Sequence, residues 1–425
     1  MECGAWGTLS QCVADTQKKV GPTAAPAHAI PFSEISHEDV PRRSTGIAEV
    51  DQVLGGGIVP GSLILLGGEP GIGKSTILGQ IACALSAPVI YCSGEESAQQ
   101  VKMRFDRLGS GSVLRSKSVP DPLLFIGETQ CEKICAALRK HKPALAIVDS
   151  IQTIASSDVP SEAGSIAQVR ACTVKLLEVA KQDNIPIILT GHVTKEGGVA
   201  GPKTLEHLVD TVLYLEGDAS QYFRLLKTVK NRFGSTNEIG VFEMTGAGLV
   251  EVSNPSELFL SSESERAAGT ATTCVVEGSR AFLVPIQALT SKTYFGYPVR
   301  KSIGVDANRL QLLVAVLSKR LGVNLGDQDI HVNVVGGLKI AEPAADLAVC
   351  ASILSSYKNK PLEKGSVFFG EVGLTGEVRP VSHTEKRLKE AEKLGFTIAY
   401  IPKQTKKLSS TLQLIEVKNL KDLEL

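Results

Sequence analysis

Short, unbroken apolar runs separated by amphipathic stretches dominate the chain between residues 62 and 190. The runs at 62–66, 88–93, 123–126, 144–149 and 186–190 lack the in–out alternation of a half-exposed strand. They read as strands covered on both faces. Between them, 76–85, 97–108, 131–140 and 166–182 carry helical spacing. This alternation predicts an α/β fold built on a mainly parallel sheet. Three further runs, 211–216, 223–229 and 239–244, follow without intervening helices and read as antiparallel strands added to one edge.

Residues 253–269 then break the pattern with Asn254, Pro255 and the polar run Ser261-Ser262-Glu263-Ser264-Glu265. Beyond them, strands at 272–276, 281–289, 330–335 and 366–373 mix with helices near 306–321, 343–357 and 384–394, an α+β pattern. A chain of 425 residues exceeds what one hydrophobic core usually supports. The expected division is a lead segment over 1–30, a first domain over 31–255, a linker over 256–269 and a second domain over 270–425.

No apolar run is long enough to span a bilayer, and Met1-Glu2-Cys3-Gly4 lacks the start of a signal peptide. Nine irregularly spaced cysteines fit a reducing cytoplasm better than a disulfide framework. Cys131 and Cys135 share a helix face with no second pair to complete a metal site. The 45 basic residues balance 45 acidic ones, so nucleic-acid binding must come from local basic loops.

One segment specifies a ligand. Gly68-Glu69-Pro70-Gly71-Ile72-Gly73-Lys74-Ser75 is a complete phosphate loop, entered from an apolar strand and followed at Thr76 by a helix. Its glycines let backbone N–H groups surround phosphates, Lys74 reaches the β/γ oxygens and the Ser75 hydroxyl ligates Mg²⁺. The helix that follows adds the positive end of its dipole. ATP and Mg²⁺ are therefore the expected cofactors. The run ending in Asp149 supplies a carboxylate beside the loop, suited to orienting the Mg²⁺ water shell. Glu95 and Glu96 end another strand, where one could polarise an attacking water and the other cap a helix.

Tyr91-Cys92-Ser93-Gly94-Glu95-Glu96-Ser97, the lead-in Leu54-Gly55-Gly56-Gly57-Ile58-Val59-Pro60-Gly61-Ser62 and Lys230-Asn231-Arg232-Phe233-Gly234 together resemble the bacterial RadA (Sms) DNA repair family. The resemblance runs from about residue 33 onward. It implies a RecA-like ATPase followed by a Lon-protease-like domain, a homohexameric ring, and action on single-stranded and branched DNA with a recombinase as a plausible partner. It assigns the water-activating role to Glu95. It also makes Lys227, Lys230 and Arg232 candidates for reaching a neighbouring subunit's nucleotide, where they would stabilise charge on the transferring phosphate.

Two loops of such rings face the central channel and map to 155–165 and 194–204. The second is glycine-rich, and its Lys195 and Lys203 suit sequence-independent phosphate contacts. In the Lon-like region, Pro343-Ala344-Ala345-Asp346 places alanine where that family's serine nucleophile sits, and ungapped alignment puts Glu385 at the partner lysine, with Lys386 adjacent. A serine nucleophile needs its own oxygen and a base, so proteolysis is not expected. The domain reads as a scaffold, with Lys301, Arg309, Lys319, Arg320 and Lys339 as candidate DNA contacts. The alternatives are an ATP-dependent serine protease and a nucleotide-switched scaffold that does not translocate on DNA. Met1 to Leu9 match only the last corner of the family's four-cysteine zinc ribbon. Cys3 is one candidate ligand of a partial site, and zinc is implied only if an upstream ribbon exists.

Overall fold

The computed structural model describes residue 31 and residues 41–109, 123–192, 204–217, 223–260, 267–294, 296–404 and 408–423. Cys3, Lys195 and Lys203 lie outside them. Residues 41–425 form one compact unit.

Helix α1 (Ala48–Leu54) leads into β1 (Leu63–Gly68), all six residues of which are buried. The chain then alternates α2 (Lys74–Ala84), β2 (Val89–Ser93), α3 (Ala98–Gly109), β3 (Leu123–Ile126), α4 (Cys131–His141), β4 (Leu145–Asp149), α5 (Ile166–Asp183) and β5 (Ile187–His192). Local signals set the ends of α5: the Ser165 hydroxyl accepts from the Gln168 N–H, and Asn184 takes the left-handed conformation that stops the helix.

Four strands follow: β6 (Thr211–Glu216), β7 (Phe223–Asn231), β8 (Ile239–Thr245) and β9 (Gly248–Glu251). The nine-stranded sheet runs β3-β2-β4-β5-β1-β6-β7-β8-β9. One expectation needs correction. β6 pairs in parallel with β1, so the antiparallel extension begins only at β7. The connection from β5 crosses β1 before β6 begins, and the apolar pattern of a strand carries no sign of its direction. β9 was not anticipated; it closes a tight turn against β8. Apolar clusters line both faces of the parallel part: Leu66, Ile77, Tyr91, Phe105 and Ile147 on one, Leu65, Cys92, Ile134, Val148 and Leu176 on the other.

After α6 (Pro255–Phe259) come β10 (Thr270–Glu277), β11 (Arg280–Lys292), β12 (Arg300–Ile303), α7 (Ala307–Leu321), β13 (Gln328–Val334), α8 (Asp346–Lys358), β14 (Ser366–Phe368), β15 (Glu371–Val372), β16 (Val378–Arg379), α9 (Thr384–Lys393), β17 (Ile398–Pro402) and β18 (Gln413–Val417). They build a seven-stranded mixed sheet, β12-β13-β11-β10-β14-β17-β18, with β15 and β16 paired apart from it. The expected strand 366–373 is thus two strands in different sheets.

The two large sheets share apolar packing: Ile239, Val241 and Val252 join the cluster of Val284, Leu313, Ile330 and Leu347. Polar contacts reinforce that seam. Arg280 donates to both oxygens of the buried Glu49 at 2.8 Å, and Lys227 reaches Glu277 at 3.3 Å.

On α9, against the second sheet, Arg387 is fully buried and donates to Glu342 at 2.9 and 2.5 Å and to the carbonyls of Ser382 and Cys274. The Phe369 ring lies 5.9 Å from its guanidinium. Removing one member of such a pair leaves an uncompensated interior charge, at a cost of about 3–5 kcal/mol. Glu342→Gln is expected to lose stability on that scale in chemical denaturation, because it leaves the Arg387 charge buried, and Arg387→Met to lose less, because the carboxylate it leaves keeps some solvent contact.

Candidate functional site

The ligand-binding edge of a parallel sheet is its carboxyl edge. Here β1, β2 and β4 end together at that edge. The loop after β1 passes through Gly68, Gly71 and Gly73, all with positive φ. Gly73 holds φ 115°, which L side chains rarely adopt, and a Cβ there would also press on the end of the Met244 side chain, 2.8 Å away at Cε. At Gly71 a Cβ would meet nothing within 4 Å, and Glu69, Pro70 and Gly71 are exposed. The loop is therefore seated on its inner side and open at its mouth, as an anion cradle must be. Arg224, buried in β7, donates from Nε to the Ile72 carbonyl at 3.2 Å and braces the seated side.

Lys74 opens α2 and is 4 % exposed. Its Nζ donates to the carbonyls of Gly68 and Glu69 at 3.0 Å each. Burial lowers its pKa, against the opposing pull of the nearby Asp149 and Glu95 charges. Ser75 and Thr76 follow in the first turn, each half-buried.

Register explains why the two carboxylates meet. β2 pairs with β4 so that Ser93 lies opposite Asp149, which brings Glu95 alongside Ser150. The buried Ser150 hydroxyl donates to Glu95 Oε1 at 2.7 Å. Asp149 accepts from Tyr91 Oη at 2.6 Å and from Thr190 Oγ1 at 2.7 Å. Glu96 turns away and pairs with Arg104 of α3. The structure thus brings Lys74, Glu95 and Asp149 together, each carboxylate steadied by hydroxyls. A serine hydroxyl and a carboxylate are hard oxygen donors, and this set fits Mg²⁺.

The Lys230–Gly234 segment lies elsewhere, at the end of β7. Lys230 Nζ donates to the carbonyls of Glu206 and Val209 at 2.6 and 2.8 Å, and burial lowers its pKa, with Arg232 adding to the effect. Lys227 is bridged to Glu216 and Glu277. Arg232 is half-exposed and touches Asp210 at 3.2 Å. Asp210 is 1 % exposed and also accepts from the Leu63 N–H at 3.0 Å and from Lys181 at 2.7 Å. The motif is therefore anchored to the root of β1. Asn231 and Arg42 extend the anchorage, both donating to the Leu54 carbonyl in the glycine-rich lead-in.

In the 3-10 turn just before α8, Ala344 is buried and presents only a methyl group. Lys386 donates to the Ser279 carbonyl, and Glu385 is exposed. Arg309 is committed to Asp346 and the Val372 carbonyl, and Arg320 donates to the Leu374 carbonyl. Lys301, Lys319 and Lys339 are exposed or half-exposed.

Sequence reasoning missed Tyr91, Ser150, Thr190, Asp210 and Arg224 as parts of this framework. Two of them carried a signal: Arg224 interrupts an apolar strand, and Asp210 stands alone before another. The three hydroxyls carried none.

Residues 31–198 match the family model described as an AAA domain, and residues 304–405 match that of subunit ChlI of Mg-chelatase. The chain is 50% identical over 413 residues to the DNA repair protein RadA of Bacillus subtilis (strain 168), covering 94% of this chain and 88% of the relative. It is 47% identical to the protein of that name from Pseudomonas aeruginosa, covering 99% and 92%. For that of Listeria monocytogenes the identity is 45%, covering 98% and 92%. Among solved structures, the crystal structure of the RadB recombinase aligns with 49% of this chain and 99% of its own, at 23% identity and a TM-score of 0.40. With this identity sustained over nearly the whole length, the chain belongs to the RadA family of DNA repair proteins.

Proposed function

We propose that the chain is an ATP-driven DNA motor of repair and recombination, working as a homohexameric ring on single-stranded and branched DNA. In this reading residues 31–255 hydrolyse ATP, and 270–425 form a Lon-protease-like scaffold that supports the ring. The observation that carries it is the meeting of Lys74, Ser75, Glu95 and Asp149 at the carboxyl ends of β1, β2 and β4.

When bound with the nucleotide, Mg²⁺ would supply neutralisation of the phosphate charge. The chain's own groups do the rest. Backbone N–H groups of the 68–75 loop hold the phosphates, and Lys74 exchanges its carbonyl partners for phosphate oxygens. Ser75 and Asp149 are the groups that would hold the metal. Glu95, fixed by Ser150, takes a proton from the attacking water. Arg232, with half its side chain in solvent, is the best placed of the three basic candidates to reach a neighbouring subunit, because Lys227 and Lys230 are engaged within their own. Ala344 argues against a serine protease, since no oxygen stands at that position to attack a peptide. A nucleotide-switched ring without translocation is the competing reading, and strand displacement on a forked substrate, with and without Lys74→Ala, separates the two.

Lys74→Ala is expected to abolish ATP hydrolysis and weaken nucleotide binding. Glu95→Gln is expected to keep nucleotide affinity while turnover falls roughly 10²- to 10⁴-fold, the range of a lost general base. Steady-state ATPase paired with equilibrium nucleotide binding checks both, and full turnover in Glu95→Gln would remove that residue from the mechanism.

The loop with Lys195 and Lys203 is assigned to the DNA backbone. Replacing both by Ala is expected to weaken single-strand binding and lower the slope of log affinity against log salt by about 1.4, about 0.7 for each phosphate no longer neutralised. Fluorescence anisotropy across a salt series reads this, and an unchanged slope would exclude the two lysines.

A further inference from the structure

The Asp149 carboxylate is gripped at both oxygens, by Tyr91 Oη on Oδ2 and by Thr190 Oγ1 on Oδ1. Tyr91 belongs to β2, where it pairs with Ile147, so its phenol must lean along the strand to reach Asp149. The residue is 1 % exposed, and its ring meets Phe105 of α3 edge-on at 5.4 Å between centroids. A phenylalanine would fill that space equally well. What the hydroxyl adds is direction. Arg104 Nη1 lies 3.4 Å from Tyr91 Oη and can only donate, so the tyrosine's own proton is turned to Asp149.

A carboxylate at a strand end can turn about its Cβ–Cγ bond and offer a metal any of its lone pairs. We propose that Tyr91 is a positioning residue for ATP hydrolysis: its hydroxyl fixes the rotation of the Asp149 carboxylate, so that the lone pairs left over are aimed at the metal–nucleotide complex beside Lys74. Outer partners of this kind typically set metal affinity or activity by about 10- to 100-fold. The inference rests on the metal-orienting role assigned to Asp149. It goes further by placing the control of that role on a side chain that touches neither metal nor nucleotide. Arg104 extends the arrangement outward, because it also holds Glu96 and so ties α3 to the strand-end carboxylate.

The test uses the full chain with Tyr91→Phe. Binding of a fluorescent ATP analogue is measured without metal and across a Mg²⁺ titration, together with ATPase over the same titration. Melting temperature and metal-free affinity are expected to stay close to those of the parent. The Mg²⁺-dependent gain in nucleotide affinity is expected to shrink about 10-fold, and the Mg²⁺ concentration for half-maximal ATPase to rise by a similar factor. Unchanged Mg²⁺ dependence would overturn the proposal. So would an equal loss of affinity with and without metal, which marks a packing role. Asp149→Asn separates this failure from that of the underlying reading: if it too keeps normal Mg²⁺ dependence, Asp149 does not orient the metal. Should Tyr91→Phe not fold, Arg104→Gln leaves the phenol in place but removes the donor facing it. A shift in the same direction supports the assignment, and normal Mg²⁺ dependence refutes it.

Discussion

The placement of β1 constrains everything at the nucleotide site. It is buried along its whole length and bonded on both edges, to β5 on one side and β6 on the other, both parallel. No face and no edge of it meets water, so its sequence is apolar until the chain leaves the sheet. There the backbone turns sharply, and the loop N–H groups beyond the last rung lie at the edge where such sheets bind ligands. β2 and β4 deliver their carboxylates to the same edge because they share β1's direction. A parallel sheet thereby gathers residues far apart in sequence into one small volume.

That logic explains what the sequence revealed. Five core strands and the phosphate loop were legible because continuous apolar runs and the glycine–lysine spacing are local signals, although β3, read as covered on both faces, is a partly exposed edge strand. Asp149 and Glu95 were legible as strand ends. The direction of β6 was not, since it depends on how the chain crosses β1. The short strands β12, β16 and β18 escaped notice because two to five residues of mixed polarity carry no usable period. The hydroxyls on Asp149 and Glu95 were invisible for a deeper reason: Tyr91, Ser150 and Thr190 sit in apolar strands or at their ends, and their partners exist only once register is set.

The site also shows how the interior tolerates charge. Asp210 is almost wholly buried yet meets a backbone N–H and two cations, so its charge is shared among the root of β1, α5 and the Lys230–Gly234 segment. Arg387 is treated similarly on α9, where, next in sequence to Lys386, it closes an ion pair with Glu342, two residues before Ala344. A region that in a hydrolase would need an open, reactive pair instead holds groups that satisfy one another.

The contact between Glu49 and Arg280 has a bearing on how the chain can be divided. Glu49 is 5 % exposed, and besides Arg280 it accepts from the Val241 N–H at 3.0 Å. Its countercharge comes from Arg280, the first residue of β11, beyond the polar segment that marks a boundary in the sequence. A fragment cut at that segment would keep the anion and lose the cation, along with the apolar cover over Ile239, Val241 and Val252. That break is therefore a poor place for scissors: by composition it reads as a linker, but a buried ion pair ties together the parts of the chain on either side of it.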